Sequence, residues 1–337
     1  MKRTRTEAWR LALVAFIGFK DWCGVELRKR RVLEARFRET GYCAGFDEIE
    51  TPVIESIEGI SDAILRLYGR MNFFGFVIED RDTDETKTTG VILRPEGTLP
   101  VVRYVAERLL RNEAIPQKLF YDLVCYRNER IETLDSEKLR EFRQLGVEYL
   151  GREDAGADAE VIRFGLDFLK RLGLEGRARI NSVRIFRKLC DAGGLAEQER
   201  LDLQDRLDGY SKQRSLGRKA AIILPDALRP LLDEPTPERL AALDGDLAAI
   251  VGELRREGYD ARADLTVVRG LLYYTGPVWQ FDVRGKDGWI AEAGGGGRYD
   301  GLFSQYLRLF GVEAGVPATG FAFGTQRLLK AITEAGR

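Results

Sequence analysis

The 337-residue chain balances 53 Lys+Arg against 54 Asp+Glu, a formal net charge of -1, and 44% of it is hydrophobic. A disordered chain would be poorer in apolar residues, and a nucleic-acid coat protein would carry a net positive field to attract phosphate. The chain contains no histidine, which excludes His-based acid/base catalysis, Ser-His-Asp and Cys-His sites and most zinc sites; chemistry must rest on carboxylates, Arg, Lys, Tyr or backbone.

The opening MKRTR followed by Leu11 to Phe19 mimics a secretory leader. Glu7 and Arg10 interrupt it and no small-residue cleavage site precedes Lys20-Asp21, so a cytoplasmic protein with an N-terminal helix or arm is expected. No stretch approaches the ~20 apolar residues of a membrane span. Residues 25–41 show helical spacing, with Val25, Val32, Leu33 and Phe37 on one broad face and Gly41 at the end. Phe46 to Ile54 alternates like a strand, with Pro52 at its edge or end. Residues 72–93 read as two strands around the polar turn Arg81 to Thr88, 99–112 as a helix, 118–126 and 142–150 as strands, and 157–172 as an amphipathic helix. Residues 183–257 are rich in Leu, Ala, Arg and Asp with helical periodicity broken by Pro225, Pro230, Pro235 and Pro237, which predicts a small helical insertion. Strand patterns return at 264–268, 278–283, 289–293 and 318–323, and a last helix starts near Thr325. Short helices flanking many antiparallel-looking strands predict an α+β architecture, not a doubly wound sheet.

Cys23, Cys43, Cys125 and Cys190 form no Cys-x-x-Cys pair, so buried free thiols are expected, with neither a disulfide framework nor a metal knuckle. No G-x-G-x-x-G or P-loop pattern occurs, and the run Gly294 to Gly297 suits either a tight turn with close backbone approach or a phosphate contact. Three arginine-centred segments stand out: RPEGT at 94–98, YRNE at 126–129 with REFRQLGVE at 140–148, and GFAFGTQR at 320–327. A lone Arg is usually a solvated surface group, but several rigid forks on neighbouring strands could clamp a phosphate or carboxylate.

Together these segments resemble the signature motifs of class II aminoacyl-tRNA synthetases of the histidyl branch. GFDEIETP at 45–52 resembles motif 1, YRNE with REFRQLGVE resembles motif 2, and GFAFGTQR resembles motif 3; RPEGT and RGLLYYTG at 269–276 with GGRYDGL at 296–302 resemble histidyl-specific segments. The resemblance spans about residues 18–337. It implies a class II antiparallel sheet flanked by helices, with 1–175 as the first part of the core, 176–260 as a mainly helical insertion and 261–337 as the second part. Motif 1 implies a homodimer.

The resemblance also implies roles. Thr98, Arg127, Gln144, Glu148, Arg269, Tyr273 and Tyr274 would bind the amino acid, and Arg127, Glu129, Arg140, Phe142 and Arg327 would bind ATP, with Phe142 stacking on the purine. Arg127 and Arg269 would be catalytic if the chain is an enzyme; no metal ligand is implied. Departures from the family pattern accompany these matches. The chain stops shortly after Arg327, where the family continues into an anticodon-binding domain of about a hundred residues. Leu272 and Gln326 replace an Asp and a Glu, and Arg70 stands near where a carboxylate is expected to meet the substrate ammonium. Two functions are therefore open. The first is the regulatory subunit of a short-form ATP phosphoribosyltransferase, sensing free histidine in histidine biosynthesis, partnered with the catalytic subunit and requiring no cofactor. The second is an enzyme that adenylates histidine or another amino acid using ATP and Mg2+. A tRNA partner is the least supported, given the neutral net charge, and no membrane partner is expected.

Overall fold

The computed structural model describes residues 16–57, 72–80, 87–115, 117–134, 138–268, 273–286, 288–308 and 310–334. The N-terminal arm expected before residue 16, Arg70, Arg269 and Leu272 lie outside the described residues.

In chain order, helix α1 (Gly24–Cys43) leads into two short strands, β1 (Asp47–Glu48) and β2 (Ile54–Ser56), then β3 (Gly75–Asp80), β4 (Lys87–Leu93) and helix α2 (Thr98–Leu110). Strands β5 (Lys118–Tyr126) and β6 (Glu141–Leu150) precede helix α3 (Ala155–Arg171) and strand β7 (Gly176–Ser182). Four helices follow, α4 (Val183–Ala192), α5 (Glu197–Ser215), α6 (Pro237–Leu243) and α7 (Gly245–Arg256). The chain closes with β8 (Ala261–Ala263), β9 (Pro277–Gly285), β10 (Gly288–Arg298), α8 (Gly301–Arg308), β11 (Ala318–Gly324) and α9 (Thr325–Glu334).

Eight strands form one sheet in the order β1-β5-β6-β11-β10-β9-β7-β8, antiparallel except for the parallel pairs β1/β5 and β7/β8 at its two edges. A second sheet, β2-β4-β3, is antiparallel throughout. The α+β expectation of an antiparallel platform flanked by helices is met. Period-2 alternation explains how both faces of the platform are covered. On β5, Phe120 joins a core with Phe37, Phe164 and Phe168, while Leu119 and Tyr121 point to the opposite core with Leu99, Tyr299 and Phe303. On the first face Phe37 meets Phe120, Phe164 and Phe168 edge-on, at centroid separations of 6.0, 5.5 and 5.0 Å, the arrangement that aromatic quadrupoles favour.

Several expectations are corrected. The α1 face is narrower than expected: Leu33 and Phe37 are buried, but Val25 and Val32 are exposed. Gly41 does not end that helix; it is buried within the last turns because a Cβ there would lie 2.5 Å from the Phe120 ring. The single strand expected over 46–54 is split between two sheets, with Pro52, which lacks an N–H to donate, in the break. Residues 264–268 are not a strand; the edge strand ends at Ala263. The helical stretch expected over 176–260 opens with β7, a member of the main sheet. Cys125 and Cys190 are buried as expected, whereas Cys23 and Cys43 at the two ends of α1 are exposed.

The helical segment is fastened locally. Asp244 caps α7 by accepting from the Leu247 N–H at 3.1 Å and lies 3.5 Å from Arg184 of α4. Asp244→Ala should lower stability by about 1 kcal/mol, the usual cost of an N-cap, readable as a shifted chemical-denaturation midpoint.

Candidate functional site

Strands β6, β11 and β10 lie side by side at the centre of the main sheet. Their surface, with α2, α5 and the loops after β5 and before β9, encloses a cavity of about 870 Å³. Thr98, Arg127, Glu129, Phe142, Gln144, Tyr273, Tyr274 and Arg327 line it, so eight of the site residues expected from the sequence are brought together from five separate segments.

The floor is sheet backbone. Gly294, Gly295, Gly320 and Gly324 line the cavity. The four-glycine run is therefore strand, not turn, and pairs with β9 on one side and β11 on the other. Close approach explains it: a Cβ on Gly296 would lie 1.9 Å from the Gly320 carbonyl, and one on Gly294 would enter the Phe323 ring at 2.4 Å. Across the β6–β11 pairing Gly320 faces Glu148, and a Cβ there would stand 1.8 Å from the carboxylate.

Glu148 does not line the cavity itself but lies behind Thr98 and Tyr299, which do, and it is 0% exposed. Its carboxyl accepts from the hydroxyls of Thr98 at 2.8 Å, Tyr299 at 2.5 Å and Tyr121 at 3.3 Å. Burial pushes it up to about 8 from an ordinary 4.5, against the pull of those hydroxyls. Thr98 and Tyr299 reach the cavity wall, so Glu148 orients two of the hydroxyl-bearing side chains that line the cavity.

Glu96, which sequence reasoning did not single out, lines the same end. Its carboxylate accepts from the Thr98 and Leu99 N–H groups at 2.7 and 2.6 Å, satisfying donors that the start of α2 leaves open. Burial raises its pKa. Glu96 thus puts an acidic group in the cavity wall. Arg94, the first residue of RPEGT, is structural: its guanidinium donates to the carbonyls of Val124 at 2.7 Å and Pro52 at 3.1 Å and to that of Thr51. Gln144 Oε1 accepts from the Gly97 N–H at 2.9 Å, and Tyr273 packs on Tyr274 and Tyr299 at 4.8 and 5.9 Å.

At the other end Arg127 donates to the Pro95 carbonyl at 2.9 Å and lies 5.1 Å above the Phe142 ring, so Phe142 already carries a planar partner. Glu129 pairs with Lys138 at 2.9 Å. Arg140 departs from expectation. It is absent from the cavity wall, because its guanidinium donates to the Glu129 and Ile17 carbonyls at 3.0 and 3.3 Å and covers the Phe16 ring. Gln326, which also lines the cavity, accepts from the Thr325 hydroxyl at 3.2 Å. Asp205 and Asp208 of α5 line the cavity too; no local pattern could reveal that an inserted helix folds back over the sheet. Among the described residues no group of three or more His, Cys, Asp or Glu is placed to hold a metal ion, and no helix is long and apolar enough to cross a membrane.

Residues 18–328 match the family model for histidyl-tRNA synthetase. The chain belongs to the histidyl-tRNA synthetase family. Among relatives, it is 30% identical to the histidine–tRNA ligase of Methanococcus aeolicus, over 94% of this chain and 76% of that protein. It is 34% identical to the histidine–tRNA ligase of Moorella thermoacetica, over 95% of this chain and 74% of that one. Among solved structures it is similar to the ATP phosphoribosyltransferase regulatory subunit/histidyl-tRNA synthetase of Bacillus halodurans. That similarity has a TM-score of 0.71 and 27% identity and covers 95% of this chain and 83% of that one. The antiparallel platform is thus the class II synthetase fold, and residues of the segments resembling motif 2, motif 3 and the histidyl-specific motifs line the cavity on its central strands, whereas the motif 1 segment at 45–52 does not.

Proposed function

We propose that this chain binds free histidine in the cavity and acts as the regulatory subunit of a short-form ATP phosphoribosyltransferase. The observation that carries the reading is the contrast between the two ends of the cavity. At the amino-acid end Glu148 fixes the Thr98 and Tyr299 hydroxyls, and Glu96, Gln144, Tyr273 and Tyr274 surround them. That set offers donors and acceptors for a polar side chain and a carboxylate for an ammonium group. At the other end Arg127 and Arg327 are held by the chain's own carbonyls, of Pro95 and Glu292. A site built for the amino acid and internally satisfied at its phosphate end suits sensing, in which the ligand stabilises one assembly state through differential affinity. The similarity to the Bacillus halodurans structure supports the same reading. The partner would be the catalytic phosphoribosyltransferase subunit, and motif 1 would supply a homodimer contact.

A second reading, adenylation, is favoured by one observation: Arg127 and Arg327 line the same cavity as the amino-acid residues. There the amino-acid carboxylate would attack the α-phosphate of ATP and release pyrophosphate, with guanidinium groups stabilising the developing charge. Of the acidic groups that line the cavity, Glu129 and Glu292 are ion-paired with Lys138 and Lys212, so those two do not by themselves make a Mg2+ site. The test is direct. Histidine should bind in calorimetry, ATP–pyrophosphate exchange should be absent with a panel of amino acids, and the chain should co-purify with a short catalytic subunit and make it histidine-sensitive. Exchange with any amino acid overturns the first reading.

A further inference from the structure

Glu292 sits where β10 slips its register against β9, between Ile290 and Gly294. Its φ of 56° puts a non-glycine residue in the left-handed region, a conformation that persists where surrounding contacts enforce it. The Glu292 N–H donates to Asp282 at 3.1 Å, and the side chain accepts from Gln280 Nε2 at 3.0 Å and pairs with Lys212 at 3.2 Å. Gln280 is in turn fixed by buried Arg179, which donates to it at 2.7 Å. Held this way, Glu292 turns two oxygens toward one cation. Its carbonyl accepts from Arg327 Nη1, and its carboxylate lies 3.8 Å from the same nitrogen. Both residues line the cavity.

We infer that Glu292 is the specificity-determining residue of the Arg327 end of the cavity, where its carbonyl and carboxylate stand in for the oxygens of an incoming polyphosphate. That end takes a nucleoside triphosphate only when Glu292 gives way. A guanidinium suits phosphate, but a carboxylate fixed beside it opposes the approach of a second anion. Lys212 belongs to α5, so displacing Glu292 also releases a bridge that fastens this helix to the cavity wall. The inference deepens the sensing reading and rests on it for the occupant of the other end.

The test is calorimetric titration of the full chain with Mg-ATP and with inorganic tripolyphosphate. Glu292→Gln removes the charge at constant shape, and Glu292→Gly removes the charge together with the left-handed strain. Both variants should bind both ligands about tenfold more tightly than the parent chain. Adding Arg327→Ala to Glu292→Gln should abolish the gain. Unchanged or weaker polyphosphate binding in both variants, or a gain that survives loss of Arg327, overturns the inference. If histidine fails to bind the parent chain, the sensing reading falls, while the polyphosphate series still decides the role of Glu292.

Discussion

Glu148→Ala should weaken histidine binding by at least about a hundredfold and also destabilise the protein, because it strips a fully buried carboxyl from three hydroxyl partners. Three buried hydroxyls losing their acceptor would cost about 1–3 kcal/mol for each one left unsatisfied. Glu148→Gln separates the two effects, since the amide keeps the volume and an acceptor oxygen. The sign of the pH dependence follows from the raised pKa. Folding favours the neutral carboxyl, so its contribution to stability is complete below 4.5 and is lost as pH rises through about 8. The stability of the parent chain relative to Glu148→Gln should fall across that window. The same inflection near 8 should be present in the histidine affinity of the parent and missing from the variant. Histidine affinity unchanged in both variants would remove Glu148 from the site.

Arg298→Met is expected to cost about 3–5 kcal/mol of unfolding free energy, the penalty for stranding one member of a buried ion pair. Arg298 is 3% exposed and Asp158 is 1% exposed. The guanidinium donates to Asp158 at 2.9 and 3.1 Å, to Asp300 at 3.1 Å and to the carbonyls of Arg152 and Asp154 at 2.9 and 3.2 Å. It therefore joins the end of β10 to the start of α3. Burial already pushes Asp158 up to about 6 despite the pairing. Without Arg298 that carboxyl moves higher still, so the loss should be smaller near pH 5, where it is protonated, than near pH 8. Denaturation of the variant and parent at both pH values measures this. A loss below about 1 kcal/mol at the higher value would show that the pair contributes no more than a surface bridge.

Arg298 also shows what the sequence could and could not reveal. It lies within GGRYDGL, read as a histidyl-specific segment, yet its guanidinium is spent on structure, whereas the neighbouring Tyr299 reaches the cavity. Likewise Arg94 and Glu96 share RPEGT; the arginine staples a loop and the glutamate faces the site. Motif spacing located the segments because their alternation on strands such as β6 is local. It could not say which member of a segment points inward, since that depends on how three central strands pair. Arg140 was misplaced for the same reason: only the tertiary position of Phe16 and Gly18 shows that its guanidinium is already taken. The aspartates of α5 carried no signal, because an inserted helix can dock on any face.

A floor without side chains makes the size of the occupant a matter of single methyl groups. At Gly296 and Gly320 an added carbon would collide with the neighbouring strand or with Glu148, so variation there would distort the platform itself. At Gly324 nothing lies within 4 Å of an added Cβ, although the residue borders the cavity. Chains of this architecture can therefore trim the volume of the guest at that edge by gaining alanine or serine, while the hydroxyl and carboxyl groups that read its chemistry stay where they are.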